Sequence, residues 1–123
     1  MLYNDFYQTT EVHEADDVIQ ATIKLNADHA ILKGHFPKMP VVPGVCMVQM
    51  LKEVTERQLQ RKLVLRKAPV IKFLRVMQPA EHPVVKLEVT LKKTEESAIA
   101  VNGKFYFESV TFFKFKGHFD EQA

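Results

Sequence analysis

The chain has 123 residues, enough for one domain with one core, and with 46% hydrophobic and 26% charged residues it is typical of a globular protein. Its formal charge of +2 is too small to indicate nucleic-acid binding by itself, and no run of apolar residues reaches membrane-spanning length, so we expect neither kind of partner. A single cysteine, Cys46, excludes a disulfide within the chain and, with no signal-peptide pattern at the start, predicts a cytoplasmic protein.

The first part of the chain predicts two strands followed by a long loop. Residues 5–12 are rich in threonine and aromatic residues, and residues 17–25 alternate apolar and polar side chains as a half-buried strand does. Residues 26–42 follow no regular pattern. A loop of this length in a compact domain is usually functional or disordered, and its proline and aromatic content favours an ordered loop.

One long helix is predicted from about residue 43 to about residue 62. Pro43 fits the first turn, where a missing N–H costs nothing. The apolar residues that repeat at helical spacing are Val45, Val48, Leu51 and Val54. Residues 53–62 are mostly polar, which predicts that this half of the helix reaches solvent.

The remainder of the chain predicts β-structure. Strands are expected at residues 69–77 and 85–92, followed by a hairpin with strands at 97–101 and 104–115. Asn102-Gly103 supplies the positive φ angles of a type I′ turn. Apolar side chains on both faces of the last strand predict cover on both sides, by the helix and by a partner.

The most informative stretch is GHFPKMPVVPGV, residues 34–45, directly before the helix. Three prolines make it stiff and extended, and Gly44 allows its N–H to approach a ligand closely. A histidine such as His35, held near free N–H groups at a helix N-terminus, can combine a base with an oxyanion stabiliser. Taken alone, however, a single histidine is more often structural than catalytic.

The string His-Phe-Pro-x-x-Pro-Val-x-Pro-Gly-Val at residues 35–45 resembles the active-site loop of the FabZ-type 3-hydroxyacyl-[acyl-carrier-protein] dehydratases, and more loosely that of their FabA-type relatives. The resemblance covers about residues 17–115. It implies an α+β protein with the hot-dog fold, in which an antiparallel β-sheet wraps around one long central helix. We therefore predict a single hot-dog domain over residues 1–123.

The resemblance also implies catalytic roles, position by position. His35 matches the histidine that removes the α-proton of a 3-hydroxyacyl thioester, and Gly44 matches the backbone N–H that polarises the thioester carbonyl. The family has Glu or Asp fourteen residues after the histidine, where it protonates the departing hydroxyl; here that residue is Gln49. An amide orients a hydroxyl but cannot deliver a proton at neutral pH. The substrate-binding positions implied are Phe36, Pro43, Val45 and Phe73.

Two other residues could substitute for the missing acid. Glu53 lies one helical turn beyond Gln49, too far for the same hydrogen bond, and a solvated helix residue is its more ordinary role. Cys46 in the first turn could pair with His35 as a nucleophile, although a small buried hydrophobe is the more ordinary role. Asp28 and His29 are expected to shape the loop.

We expect no metal ion and no cofactor. The remaining histidines, His13, His29, His82 and His118, lack metal-ligand spacing. A basic cluster at the helix exit consists of Arg57, Arg61, Lys62, Arg66 and Lys67. It is equally consistent with docking of an acidic acyl carrier protein and with a solvated helix end.

Three functions are compatible with these residues. The first is a 3-hydroxyacyl-[acyl-carrier-protein] dehydratase of fatty-acid or related acyl-chain biosynthesis, acting on a thioester of the carrier protein or of CoA. The second is a thioesterase, which needs a carboxylate that Gln49 does not provide. The third is a non-catalytic or half-catalytic subunit. We expect a homodimer or higher oligomer, or a heterodimer with a relative that carries Glu or Asp at the acid position.

Overall fold

The computed structural model describes residues 2–34, 40–94 and 98–122, which contain six antiparallel strands in one sheet and two helices. The elements in chain order are β1 (Tyr7–Ala15), β2 (Val18–Leu25), α1 (Ala30–Gly34), α2 (Gly44–Leu59), β3 (Leu63–Phe73), β4 (Val84–Lys93), β5 (Ala98–Phe107) and β6 (Val110–Glu121). The strand order across the sheet is β1-β2-β4-β5-β6-β3, so β1 and β3 are the edge strands.

Helix α2 packs its buried side chains against the apolar face of the sheet. Met50, Leu51 and Val54 from the helix join Val89 and Phe105 from the sheet in one core cluster. The helix ends at Leu59, three residues earlier than predicted, because Gln60 adopts the left-handed conformation with φ 56° and its N–H donates to the carbonyl of Glu56. The polar half of the helix is not wholly solvated as predicted, since Glu53 and Thr55 are buried.

The predicted turn at Asn102-Gly103 is wrong. Strand β5 runs straight through both residues, which pair with Lys116 and Phe115, and Gly103 has no positive φ. The chain turns instead at Glu108, with φ 51°, so residues 104–115 are not one strand. Glycine is needed at 103 because a Cβ there would collide with Leu51 of α2, so the residue permits close helix–sheet packing.

Strand β3 begins six residues before its predicted start. Pro69, taken as a boundary, lies inside the strand where the pairing with β6 shifts between Lys67 and Val70. An edge strand tolerates proline because its outward N–H needs no partner in the sheet. Near the start of the chain, β1 is shifted to Tyr7–Ala15, and the predicted loop 26–42 contains the short helix α1.

Candidate active site

The start of α2 is held in place by the segment that follows β3. The N–H of Val42 donates to the carbonyl of Met77 at 2.8 Å, and Pro43 then caps the helix in an extended conformation. The carbonyl of Pro43 accepts from the N–H groups of Cys46 and Met47 at 3.0 and 3.2 Å. Gly44 is the first helical residue, so its N–H has no partner within the helix and projects from the positive end of the helix dipole.

The ring of Phe73 lies against Gly44. A Cβ on Gly44 would collide with the ring carbons Cζ and Cε1 of Phe73, so a larger residue at 44 would displace the ring from this position. The ring packs on Phe113 with centroids 5.3 Å apart, yet its residue is 58% exposed. Of the residues implied by the family resemblance, the structure therefore brings Gly44 and Phe73 together.

A groove of about 300 Å³ opens beside this contact. It is lined by Val41, Val42, Gly44, Met47, Phe73, Leu74, Arg75 and Val76. The groove is mainly apolar with one cation, and it ends at the helix N-terminus. Such a site has the character of one that binds an apolar chain with a polar group at its end.

Of the other site residues implied by the family resemblance, those that the structure describes do not line this groove. His35 and Phe36 lie outside the described residues. Pro43 is half-buried as the helix cap, and Val45 is 79% exposed, projecting from the first turn away from the core. Gln49 does not line the groove; it is half-buried further along α2.

Gln49 lies five residues along α2 from Gly44, about 140° around the helix axis and about 7.5 Å along it. The free N–H of Gly44 points along the axis from the start of the helix, whereas the Gln49 side chain is directed to Glu53 in the next turn. Within one chain, the Gly44 N–H and the Gln49 amide are thus directed differently.

Glu53 is buried beside Gln49 and is the centre of a hydrogen-bond network. Its carboxylate accepts from Gln49 Nε2 at 2.7 Å, from the N–H groups of Leu2 and Tyr3 at 2.9 Å each, and from the Tyr7 hydroxyl at 3.1 Å. The residue is only 2% exposed. The expectation that Glu53 is a solvated helix residue is therefore wrong.

The network keeps Glu53 ionised. Burial alone would raise the pKa of the carboxyl group, but the hydrogen bonds from Gln49, Leu2, Tyr7 and Tyr3 outweigh it and lower that pKa below its ordinary value of 4.5. A carboxylate held in this state is a poor proton donor at neutral pH. Glu53 thus does not replace the acid that is missing at position 49.

Arg57 completes the network from the next turn of the helix. Its Nη1 donates to the Tyr7 hydroxyl at 3.0 Å, and its guanidinium carbon lies 3.5 Å from the centre of the Tyr3 ring. Sequence reasoning missed this group of residues. The available signal was helical spacing, since Glu53 follows the buried Cys46 and Met50 on one face of α2.

The remaining sequence candidates have ordinary structural roles. Cys46 is 6% exposed, and burial raises the pKa of its thiol, which agrees with a small buried hydrophobe. His29 shapes the start of α1, because its Nδ1 accepts from the N–H of Ile31 at 3.0 Å while its Nε2 contacts Asp5 Oδ2 at 3.0 Å. Residues 2–34, 40–94 and 98–122 contain no cluster of ligating side chains that could hold a metal ion.

The basic cluster at the helix exit is largely engaged within the chain. Arg57 is taken by Tyr3 and Tyr7, Arg61 Nη1 lies 3.1 Å from Glu121 Oε2, and Arg66 Nε lies 2.7 Å from Asp120 Oδ2. The cluster is consequently less positive than its sequence suggests. None of the described helices is long and apolar enough to cross a membrane.

The helix-facing side of edge strand β3 is uncovered. Ile71 and Phe73 lie opposite the buried Phe115 and Phe113, so they point to the same side of the sheet as the core. They are nevertheless exposed: the ring of Phe73 meets the first residue of α2, Gly44, yet Phe73 is 58% exposed and Ile71 is 44% exposed. The large apolar residues exposed on this strand, after it and on the first turn of α2 are Val45, Leu65, Val70, Ile71, Phe73, Leu74 and Val76.

The fold is that of hot-dog proteins. The dehydratase heterocomplex ApeI:P from Xenorhabdus doucetiae has a chain with a TM-score of 0.76 and 16% identity, covering 91% of this chain and 96% of that one. A hypothetical thioesterase protein with coenzyme A from Streptococcus pneumoniae TIGR4 has a TM-score of 0.66 and 8% identity, and the match covers 98% of this chain and 92% of that one. The BH2602 protein from Bacillus halodurans with CoA has a TM-score of 0.62 and 16% identity, and the match covers 92% of this chain and 74% of that one.

Residues 11–104 match the model of the ApeI-like family, described as ApeI dehydratase. The chain therefore belongs to the ApeI-like dehydratase family, a hot-dog dehydratase family related to the FabZ-type proteins that residues 35–45 resemble. No curated protein matches the chain at a significant level.

Proposed function

We propose that this chain is one half of a heteromeric dehydratase that removes water from a 3-hydroxyacyl thioester of an acyl carrier protein or CoA. It supplies His35 as the base and the Gly44 N–H as the oxyanion donor. A partner chain of the same fold supplies the carboxylic acid. The hydrogen bond between Gln49 and Glu53 carries this proposal, because the residue at the position that resembles the acid donates its amide to a carboxylate and has no proton to give to a leaving hydroxyl.

The proposed reaction follows from the roles of three groups. An imidazole nitrogen of His35 takes the proton from the carbon next to the thioester carbonyl. The Gly44 N–H donates to the carbonyl oxygen as negative charge develops there, aided by the helix dipole. The partner's carboxylic acid gives its proton to the hydroxyl on the next carbon, which leaves as water, and a double bond forms between the two carbons.

The family resemblance supports two chains per site. In the FabZ-type dehydratases that residues 35–45 resemble, the histidine and the acid of one site come from different chains, so each site of a dimer would combine His35 and Gly44 of one chain with position 49 of the other. One of the two sites would then hold the partner's acid, and the other would hold Gln49 and be inactive. The uncovered apolar side of β3, next to Gly44, is where a second chain would pack. The heterocomplex of the similar Xenorhabdus structure is consistent with this assembly.

The test uses the chain co-expressed with a relative that carries Glu or Asp at the acid position, supplied with 3-hydroxyacyl carrier protein. We expect enoyl product from the heterodimer and little from the homomer, since a missing general acid costs about 10²–10⁴-fold in rate. His35→Ala should abolish product formation, and His13→Ala, on an exposed strand, serves as its control. Gln49→Ala should leave the rate per folded heterodimer unchanged, because that residue belongs to the inactive site.

Fast turnover by the homomer, insensitive to a change at Gln49, would contradict the proposal and indicate another proton donor. Activity that survives within a few-fold in His35→Ala would show that His35 is structural.

Thioester hydrolysis is the second candidate, because the structure also resembles a hypothetical thioesterase with bound coenzyme A. The same assay separates the two reactions. Hydrolysis releases a free thiol without an enoyl product, whereas dehydration gives the enoyl thioester and no thiol. The thioesterase requires a carboxylate that activates water, and Gln49 does not supply one.

A further inference from the structure

The edge strand β3 and the residues that follow it carry charge of a single sign. Residues 63–77 contain four basic side chains and no acidic one: Arg66, Lys67, Lys72 and Arg75. Arg66 is neutralised by Asp120 within the chain. Lys67, Lys72 and Arg75 have no ion-pair partner in the parts of the chain that the structure describes.

Neighbouring strands increase this positive charge. Lys72 lies directly opposite Lys114 of β6, and Lys114 lies opposite Lys104 of β5. Side chains that face each other in this way share one side of the sheet. Glu88 of β4 is the nearest acid in this row, and it already contacts Lys104 at 3.8 Å.

The open edge of β3 is also suited to a partner. Its backbone pairs with β6 on one side only, and its helix-facing apolar residues Leu65, Ile71 and Phe73 are exposed. Natural proteins protect an exposed edge with charge, proline or a bulge. Here Pro69 lies at the register shift, but the apolar side chains of Leu65, Ile71 and Phe73 remain exposed beside it.

A second copy of this chain is a poor match for that edge. In a two-fold dimer that pairs β3 with itself, each residue of one strand faces a residue of the same set in the other. Because residues 63–77 hold only basic charges, no register of this pairing forms an ion pair between the two strands, and two edges of like charge repel each other at longer range. The absence of ion pairs between the strands does not depend on the register.

We infer that β3 selects its partner by charge, and that the partner is a second hot-dog chain whose facing edge strand is apolar and acidic. This rests on the proposed function, which calls for a partner that brings the acid. It goes further, because it states why the partner differs from this chain and which surface makes the choice. Like-charge repulsion disfavours the homodimer, and opposite charge favours the heterodimer.

The test measures association alone, by sedimentation equilibrium, and does not depend on activity. The wild-type chain should form a homodimer that tightens at least about tenfold when sodium chloride is raised from about 50 mM to about 500 mM, since salt screens the repulsion. A Lys67→Glu/Lys72→Glu variant mixed with wild type at low salt should form a mixed dimer at least about tenfold tighter than the wild-type homodimer. High salt should remove that gain.

The matched control is Lys24→Glu/Lys92→Glu, which makes the same charge change at exposed lysines of β2 and β4. This variant should not gain affinity for the wild-type chain. A tight wild-type homodimer that is insensitive to salt would overturn the inference, and so would a mixed dimer no tighter than the homodimer. Dehydration can fail in every mixture while this association result holds, so the two proposals fail separately.

Discussion

Gln49 and Glu53 are joined by a hydrogen bond of 2.7 Å from the amide Nε2 to the carboxylate Oε2. An ionised carboxylate only accepts hydrogen bonds, so Gln49 turns its NH₂ group to Glu53 and its Oε1 away. The position where the resembled dehydratases have an acid thus presents an acceptor with no proton to give. The Glu53 carboxylate next to it accepts three further hydrogen bonds, all from the N-terminal residues Leu2, Tyr3 and Tyr7.

This network predicts a pH-dependent stability that depends on Glu53. Its pKa is lowered in the folded state, so the stabilisation is present above the ordinary value of 4.5 and is lost as the pH falls through the folded value. Glu53→Gln should lower the free energy of unfolding at pH 7 by about 1–3 kcal/mol, because buried donors lose a charged acceptor. Urea unfolding should show that this difference shrinks on acidification.

The control for that experiment is Glu108→Gln, a change at an exposed turn residue outside the network. The free energy of unfolding of this variant should equal that of the wild-type protein at every pH. If Glu53→Gln and wild type differ equally at pH 7 and under acid conditions, Glu53 is not ionised by the network as described.

Gln49→Glu would create two carboxylates in hydrogen-bond contact. Like charges at this distance raise the pKa of the pair, and a raised pKa is what a general acid needs near neutral pH. We expect the variant homomer to form enoyl product at least about tenfold faster than wild type. It should also lose stability relative to wild type as the pH rises, since the added group has a raised folded pKa.

Gln58→Glu is a closely matched control for Gln49→Glu. Gln58 also donates its Nε2 to a carboxylate, Glu14 Oε1 at 3.0 Å, but on an exposed part of the same helix. This variant likewise places two carboxylates together, away from the proposed site. Equal turnover in both variants would show that position 49 has no special role in proton transfer.

Cys46 should be unreactive in the folded protein. It is 6% exposed, and burial raises the pKa of its thiol, so little thiolate is present at pH 7. An aromatic disulfide reagent should label it only at the rate at which the chain opens, and rapidly in urea. Fast labelling of the folded chain would instead support the nucleophilic role that its place in the first turn suggests.

The sequence predicted best those elements whose pattern depends on burial alone. Strand β4 was expected at residues 85–92 from strict alternation and is found at Val84–Lys93, and the helix was expected to begin at about residue 43 and begins at Gly44, with Pro43 as its cap. The hairpin turn was predicted in the wrong place because glycine occurs both in tight turns and where another side chain approaches the backbone closely. Gly103 makes room for Leu51, a contact between distant parts of the chain that no local pattern reveals.

The sequence brought two of the implied site residues to attention, and their roles stay predictions. The motif at residues 34–45 pointed to Gly44 and the family resemblance implied Phe73, and the structure places these two residues in contact. The burial of Glu53 could not be inferred from the polar run 53–62, because its partners Leu2, Tyr3 and Tyr7 lie about fifty residues away in the chain. His35 lies outside the described residues, so its role stays a prediction.

The contact between Gly44 and Phe73 predicts an energetic coupling between the two residues. Gly44→Ala should push the Phe73 ring from its place, and because that ring end is mobile and the residue is 58% exposed, the free energy of unfolding should fall by no more than about 1 kcal/mol. In a Phe73→Ala background the same change should be neutral or slightly stabilising, since alanine favours helix more than glycine does by up to about 1 kcal/mol. A double-mutant cycle from urea unfolding measures the difference.

Val76→Ala provides the matched background for that cycle, because Val76 lines the same groove but is not among the side chains nearest to a Cβ on Gly44, which all belong to Phe73. Gly44→Ala should cost as much there as in wild type. If the cost of Gly44→Ala is the same in all three backgrounds, the ring does not rest on Gly44. If the cost disappears only when Phe73 is truncated, glycine is present at 44 to hold an aromatic ring beside the helix N–H that we assign to the thioester carbonyl.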